Sequence, residues 1–115
     1  EGVVSVAATD FNDARAPYSN FGTRIDVAAP GGDTSSDKNG DGYADGVLST
    51  IVDDSQGSRT STVNFYQGTS MASPHMAGVA ALMRAVYPTM TPIELDNLLA
   101  NGTITNDAGA SGRDE

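Results

Sequence analysis

At 115 residues with 38% hydrophobic side chains, the chain has the length for one domain with a modest core and not for two. Its formal net charge of −9 argues against nucleic acid as a partner, because phosphates would be repelled, and no apolar run reaches membrane-spanning length. The absence of cysteine excludes disulfide scaffolds, thiol catalysis and thiolate zinc sites together.

Thirteen glycines, many alanines and no tryptophan describe a tightly packed, loop-rich α/β segment. The chain opens on Glu1-Gly2-Val3-Val4 without an initiator Met or a secretory leader, as expected of a chain whose N-terminus has been removed. Val3 to Ala8 is a run of β-branched and alanine residues that predicts a buried strand of parallel type, ended by Thr9-Asp10. Asp10 to Asn20 is turn-rich, and Ile25 to Ala29 predicts a second strand closed by Pro30-Gly31-Gly32. Residues 33–46 form a polar, acidic, glycine-punctuated insert in which Lys38 is the only basic residue. Val47 to Val52 and Thr62 to Gln67 predict two strands, and the polar stretch between them suggests a hairpin.

Ser70 to Val86 carries Ala, Gly, Met, Val and Leu around almost its whole circumference, the pattern of a helix buried on most faces. Gly78 would cost about 1 kcal/mol on an exposed helix, so close backbone packing is expected there. Thr91-Pro92-Ile93-Glu94 reads as an N-cap, a proline at N1 and a capping-box glutamate, opening a helix that runs to about Ala100 and stops at Asn101-Gly102. Asn106 to Glu115 is polar and reads as loop.

Chemistry concentrates at Gly68-Thr69-Ser70-Met71-Ala72-Ser73-Pro74-His75, where a glycine-led turn runs into the small-residue helix. A serine at a helix start stands among free N–H groups and a partial positive charge, with its hydroxyl presented outward. The bland alternative is that Ser70 is an N-cap, the commonest duty of a serine before a helix.

The whole string, continued by Met76-Ala77-Gly78-Val79-Ala80-Ala81-Leu82, resembles the serine segment of the subtilisin-like serine proteases. Val4-Ser5-Val6-Ala7-Ala8-Thr9-Asp10, Tyr18-Ser19-Asn20-Phe21-Gly22, Ile25 to Gly31 and Thr91 to Leu95 are similar to further landmarks of that family. The resemblance implies a three-layer α/β/α fold on a mostly parallel sheet, of which residues 1–115 would be the nucleophile-bearing portion. It implies Ser70 as the nucleophile of peptide hydrolysis through an acyl-enzyme, with the Ser70 backbone N–H as one oxyanion donor. It also implies secretion and a protein or peptide substrate. The family's Asp, His and oxyanion Asn precede the serine. They are expected on an N-terminal portion that this chain does not carry, so the chain alone is expected to be inactive and to need that portion as partner.

His75, the chain's single histidine, lies five residues after Ser70. On a helix it is about 140° around from the serine and more than a turn along, out of reach of the hydroxyl. The resemblance makes it structural, packed behind the site.

In the insert, Asp37, Asn39, Asp41 and Asp45 fall at positions 1, 3, 5 and 9 of an EF-hand-type spacing, with Gly42 at 6 and the Tyr43 carbonyl at 7. Position 12 is Leu48 in place of the bidentate Glu, so a further oxygen such as Asp33 would have to complete a structural calcium site. The alternative is a solvated acidic turn; clustered carboxylates with no local cation favour the metal. A non-enzymatic reading also stands, that of a calcium-binding or interaction module derived from a subtilase.

Overall fold

The computed structural model describes residues 2–105, so the expectation for Asn106 to Glu115 lies outside the described residues. Strand β1 (Val6–Thr9) pairs in parallel with β2 (Val27–Pro30), with Val6 opposite Val27 and Thr9 opposite Pro30. Both strands are shorter than the apolar runs suggest. Ser5 precedes β1, its amide donating to the Asp26 carboxylate and its hydroxyl to the Arg24 carbonyl, and Val3 before it stands 79% exposed. Pro30 is accommodated at the end of a strand, where its missing N–H breaks no ladder bond.

Strands β3 (Val47–Asp53) and β4 (Thr60–Tyr66) form the expected antiparallel hairpin, with Val47 opposite Tyr66 and Asp53 opposite Thr60. The turn is built on Asp53, whose carboxylate accepts from the Ser55 amide at 2.9 Å, and on a Gly57 amide donating to the Asp54 carbonyl at 3.1 Å. Helix α1 (Thr69–Val86) packs on β1 and β2, and α2 (Pro92–Ala100) follows it. The capping box of α2 is complete: the Glu94 amide donates to the Thr91 hydroxyl, and the Thr91 amide to the Glu94 carboxylate at 2.7 Å.

The described residues thus build a partial α/β fold, one helix layer against a parallel strand pair. Its core is a cluster of Ala8, Ala16, Ala29 and Ala72, with Val6 and Tyr18 packed against it. Alanines let α1 approach the strands closely, but they bury little apolar area. Two expectations for α1 are overturned. The helix is not buried on most faces: among its residues only Ala72 and Met76 are, while Leu82 is 70% and Val86 88% exposed. Nor does Gly78 mark a close approach, because a Cβ there would meet nothing within 4 Å. The reason is the same for both. Helix α1 packs chiefly on β1 and β2, and its buried residues, Ala72 and Met76, are few.

Candidate active site

The turn before Ser70 is built from three pieces of chain that meet at glycines. The amides of Gly31 and Gly32, just past β2, both donate to the Thr9 carbonyl at the end of β1, at 2.9 and 3.1 Å. The Gly68 amide in turn donates to the Gly31 carbonyl at 3.0 Å. Gly68 is the N-cap of α1 with φ 145°, a backbone that side-chain-bearing residues rarely adopt. A Cβ on Gly31 would lie 2.4 Å from the Ala8 methyl and 2.9 Å from the Gly68 carbonyl oxygen, so only glycine fits between the strand and the turn.

Ser70 follows as the second residue of α1 and is exposed. It is not the cap, and no hydrogen bond engages its hydroxyl among the described residues. Its N–H belongs to the first-turn donors that a helix leaves without an internal partner. A hydroxyl and free N–H groups at one helix start can attack a carbonyl and receive the charge that develops on its oxygen. Met71 lies alongside, with its sulfur 3.8 Å from where a Gly68 Cβ would be.

His75 is held away from the serine hydroxyl. Its Nδ1 lies 2.7 Å from the Met71 carbonyl oxygen one turn back, and because a carbonyl only accepts, Nδ1 carries the proton. The expectation that it packs into the core is not met, since the ring is exposed. It is satisfied along its own helix.

The acidic loop separates into a tip and a base. At the tip, Asp37 turns both carboxylate oxygens onto the loop's own amides: Gly40 at 2.7 Å, Asp41 at 3.2 Å and Gly42 at 3.0 Å. Asp41 accepts from the Tyr43 amide at 2.9 Å and from the Asn39 side-chain amide at 3.0 Å. At the base, Asp33 and Asp45 bridge through their backbones; Asp33 accepts from Ser35, and Asp45 from the Lys38 amide at 2.5 Å. Lys38 pairs with the buried Asp10 carboxylate and lies within the field of Asp33 and Asp45.

Lys38 is thus a local cation within the insert, and the expectation of clustered carboxylates without one is not met; its partner Asp10 lies outside the insert. The bond to Lys38 holds Asp10 below the usual carboxylate range, and the bonds from Ser35 do the same for Asp33. Of the expected ligands, the carboxylates of Asp33, Asp37, Asp41 and Asp45 do not converge. Among the described residues no three His, Cys, Asp or Glu side chains converge as metal ligands. One atom is unaccounted for: Oδ1 of Asp45, on a residue 9% exposed, is buried without a hydrogen-bond partner.

The described residues thus place an exposed serine at a helix start, after a glycine-led turn, on a partial α/β scaffold. Residues 1–114 match the model of the Subtilase family, and the chain belongs to that family. It is 44% identical over 100 residues to the "Extracellular protease" of Xanthomonas campestris pv. campestris, covering 86% of this chain and 15% of that protein. It is 39% identical over 105 residues to the "Extracellular basic protease" of Dichelobacter nodosus, covering 88% and 15%. Over 106 residues it is 36% identical to "Subtilisin DY" of Bacillus licheniformis, covering 92% and 31%. The chain thus spans less than a third of the length of each of these relatives.

Proposed function

We propose that this chain is the nucleophile-bearing part of a serine endopeptidase domain that hydrolyses peptide bonds through an acyl-enzyme on Ser70. The observation that carries the reading is the free Ser70 hydroxyl beside the Thr69 and Ser70 N–H groups, which have no hydrogen-bond partner among the described residues, directly after the Gly68 turn. The relatives' names, proteases described as extracellular, support a protein substrate and an extracellular setting. Since His75 is turned to its own helix, the general base and its carboxylate come from residues outside this chain, and the chain alone is inactive. A fluorophosphonate probe on the polypeptide as encoded tests this. Ser70 is expected to be labelled and Ser70→Ala to remain unlabelled. Absence of labelling at Ser70 overturns the reading in favour of a non-catalytic interaction module.

A second reading concerns the loop. We infer that a calcium ion binds at 37–45, favoured by the buried Asp45 Oδ1 that has no hydrogen-bond partner. Asp37, Asn39, Asp41 and Asp45 would supply the oxygens as the loop closes on the ion, with Asp33 and the Tyr43 carbonyl as completing candidates; the ion would staple the loop. Binding at one hundred times Kd stabilises by about 2.7 kcal/mol. The encoded polypeptide is therefore expected to gain several degrees in Tm with calcium, and Asp41→Ala to gain less. Equal gains in both would remove the loop as a site.

A further inference from the structure

We propose that Tyr18 is a positioning residue for the nucleophile: its hydroxyl ties the end of β2 to the first residue of the turn that presents Ser70. The inference rests on reading Ser70 as the nucleophile. The Tyr18 hydroxyl donates to the Gly32 carbonyl at 2.6 Å and accepts from the Gly68 amide at 3.0 Å. Those are the two chain segments that meet before the helix. The Gly68 amide is shared between this oxygen and the Gly31 carbonyl, and Gly68 has no side-chain cap of its own. Tyr18 and the Gly31 carbonyl therefore hold the backbone amide that fastens the turn to the segment after β2, next to the Gln67 side chain, which accepts from Thr34.

The ring gives the hydroxyl a rigid base, packed against the alanine cluster of the core. A Cβ on Gly31 would fall 2.8 Å from the hydroxyl oxygen, so this glycine leaves the space the hydroxyl occupies. Burial pushes the phenol above its ordinary value, which keeps the proton that the bond to Gly32 requires. Ser70 lies two residues beyond Gly68 on a helix whose direction starts there. A displacement of about 1 Å at a reacting atom can cost on the order of a hundredfold in rate. A hydroxyl that fixes Gly68 therefore acts on turnover through Ser70 while touching no substrate.

Tyr18→Phe in the polypeptide as encoded removes the oxygen and keeps the ring. Below the melting temperature of both proteins, kcat and the rate constant of fluorophosphonate labelling are expected to fall about tenfold or more, with KM within twofold of wild type. A purely structural hydroxyl would lower Tm and leave kcat of the folded protein unchanged; that result overturns the proposal. Wild type labelled at Ser70 alongside an equally fast Tyr18→Phe defeats this inference alone. A wild type not labelled at Ser70 defeats the nucleophile reading and this inference with it. Should the phenylalanine variant not fold, a ring-fluorinated tyrosine at position 18 keeps the hydroxyl but loses its proton at lower pH. Its labelling rate is then expected to drop at alkaline pH where wild type holds, and parallel profiles overturn the proposal.

Discussion

Ser70 and His75 share a motif but not a site. The serine stands free at the start of α1, whereas the imidazole Nδ1–H is spent on the Met71 carbonyl. Residue spacing alone made this legible, because five helical positions turn the ring well away from the hydroxyl. Spacing did not show that the ring would be exposed, which depends on what else packs against α1. At the same scale, the Lys38–Asp10 pair governs the response of the insert to pH. Asp10 is depressed, so its contribution is present above the ordinary carboxyl value of about 4 and is lost as pH falls through the depressed one. Lys38 is raised, so its contribution is present below about 10.4 and is lost only above that. Asp10→Asn is therefore expected to lower the urea midpoint at pH 7 and to lower it by less at pH 3. An equal loss at both would show that the pair is not the cause.

At the scale of elements, α2 is the one whose ends were written most plainly. Thr91, Pro92 and Glu94 give both halves of the capping box, and Gly102 follows the helix with φ 69°. The bonds from Thr91 hold the Glu94 carboxyl below its usual range. Thr91→Ala is expected to cost about 1 kcal/mol, read from the denaturant midpoint. A change within a few tenths would mean that the cap contributes nothing to stability. Strand edges were less legible. The runs Val3 to Ala8 and Ile25 to Ala29 mark apolar stretches, but β1 begins only at Val6 and β2 at Val27, where the pairing begins. The Tyr18 hydroxyl bridge was invisible in the sequence, because Gly31, Gly32 and Gly68 meet it only after the chain has folded.

For the whole molecule, the helix face read as buried is the best measure of what the chain does not contain within itself. The periodicity of α1 describes burial on most sides, and among its residues only Ala72 and Met76 are buried. The Cα radius of gyration is 16.2 Å, above the roughly 13 Å of a compact domain of this length. Exposed Leu82, Val86 and the hairpin residues Leu48, Val52 and Val63 are apolar surface of the kind that elsewhere marks an interface. This agrees with a chain spanning 15% to 31% of its relatives. The most direct test is fluorophosphonate labelling of the 115-residue chain beside the polypeptide as encoded, with the labelled residue mapped by mass spectrometry. A base supplied from outside these residues requires label on Ser70 in the encoded polypeptide and none on the chain alone. Label on Ser70 of the chain alone, or none in either, would contradict it.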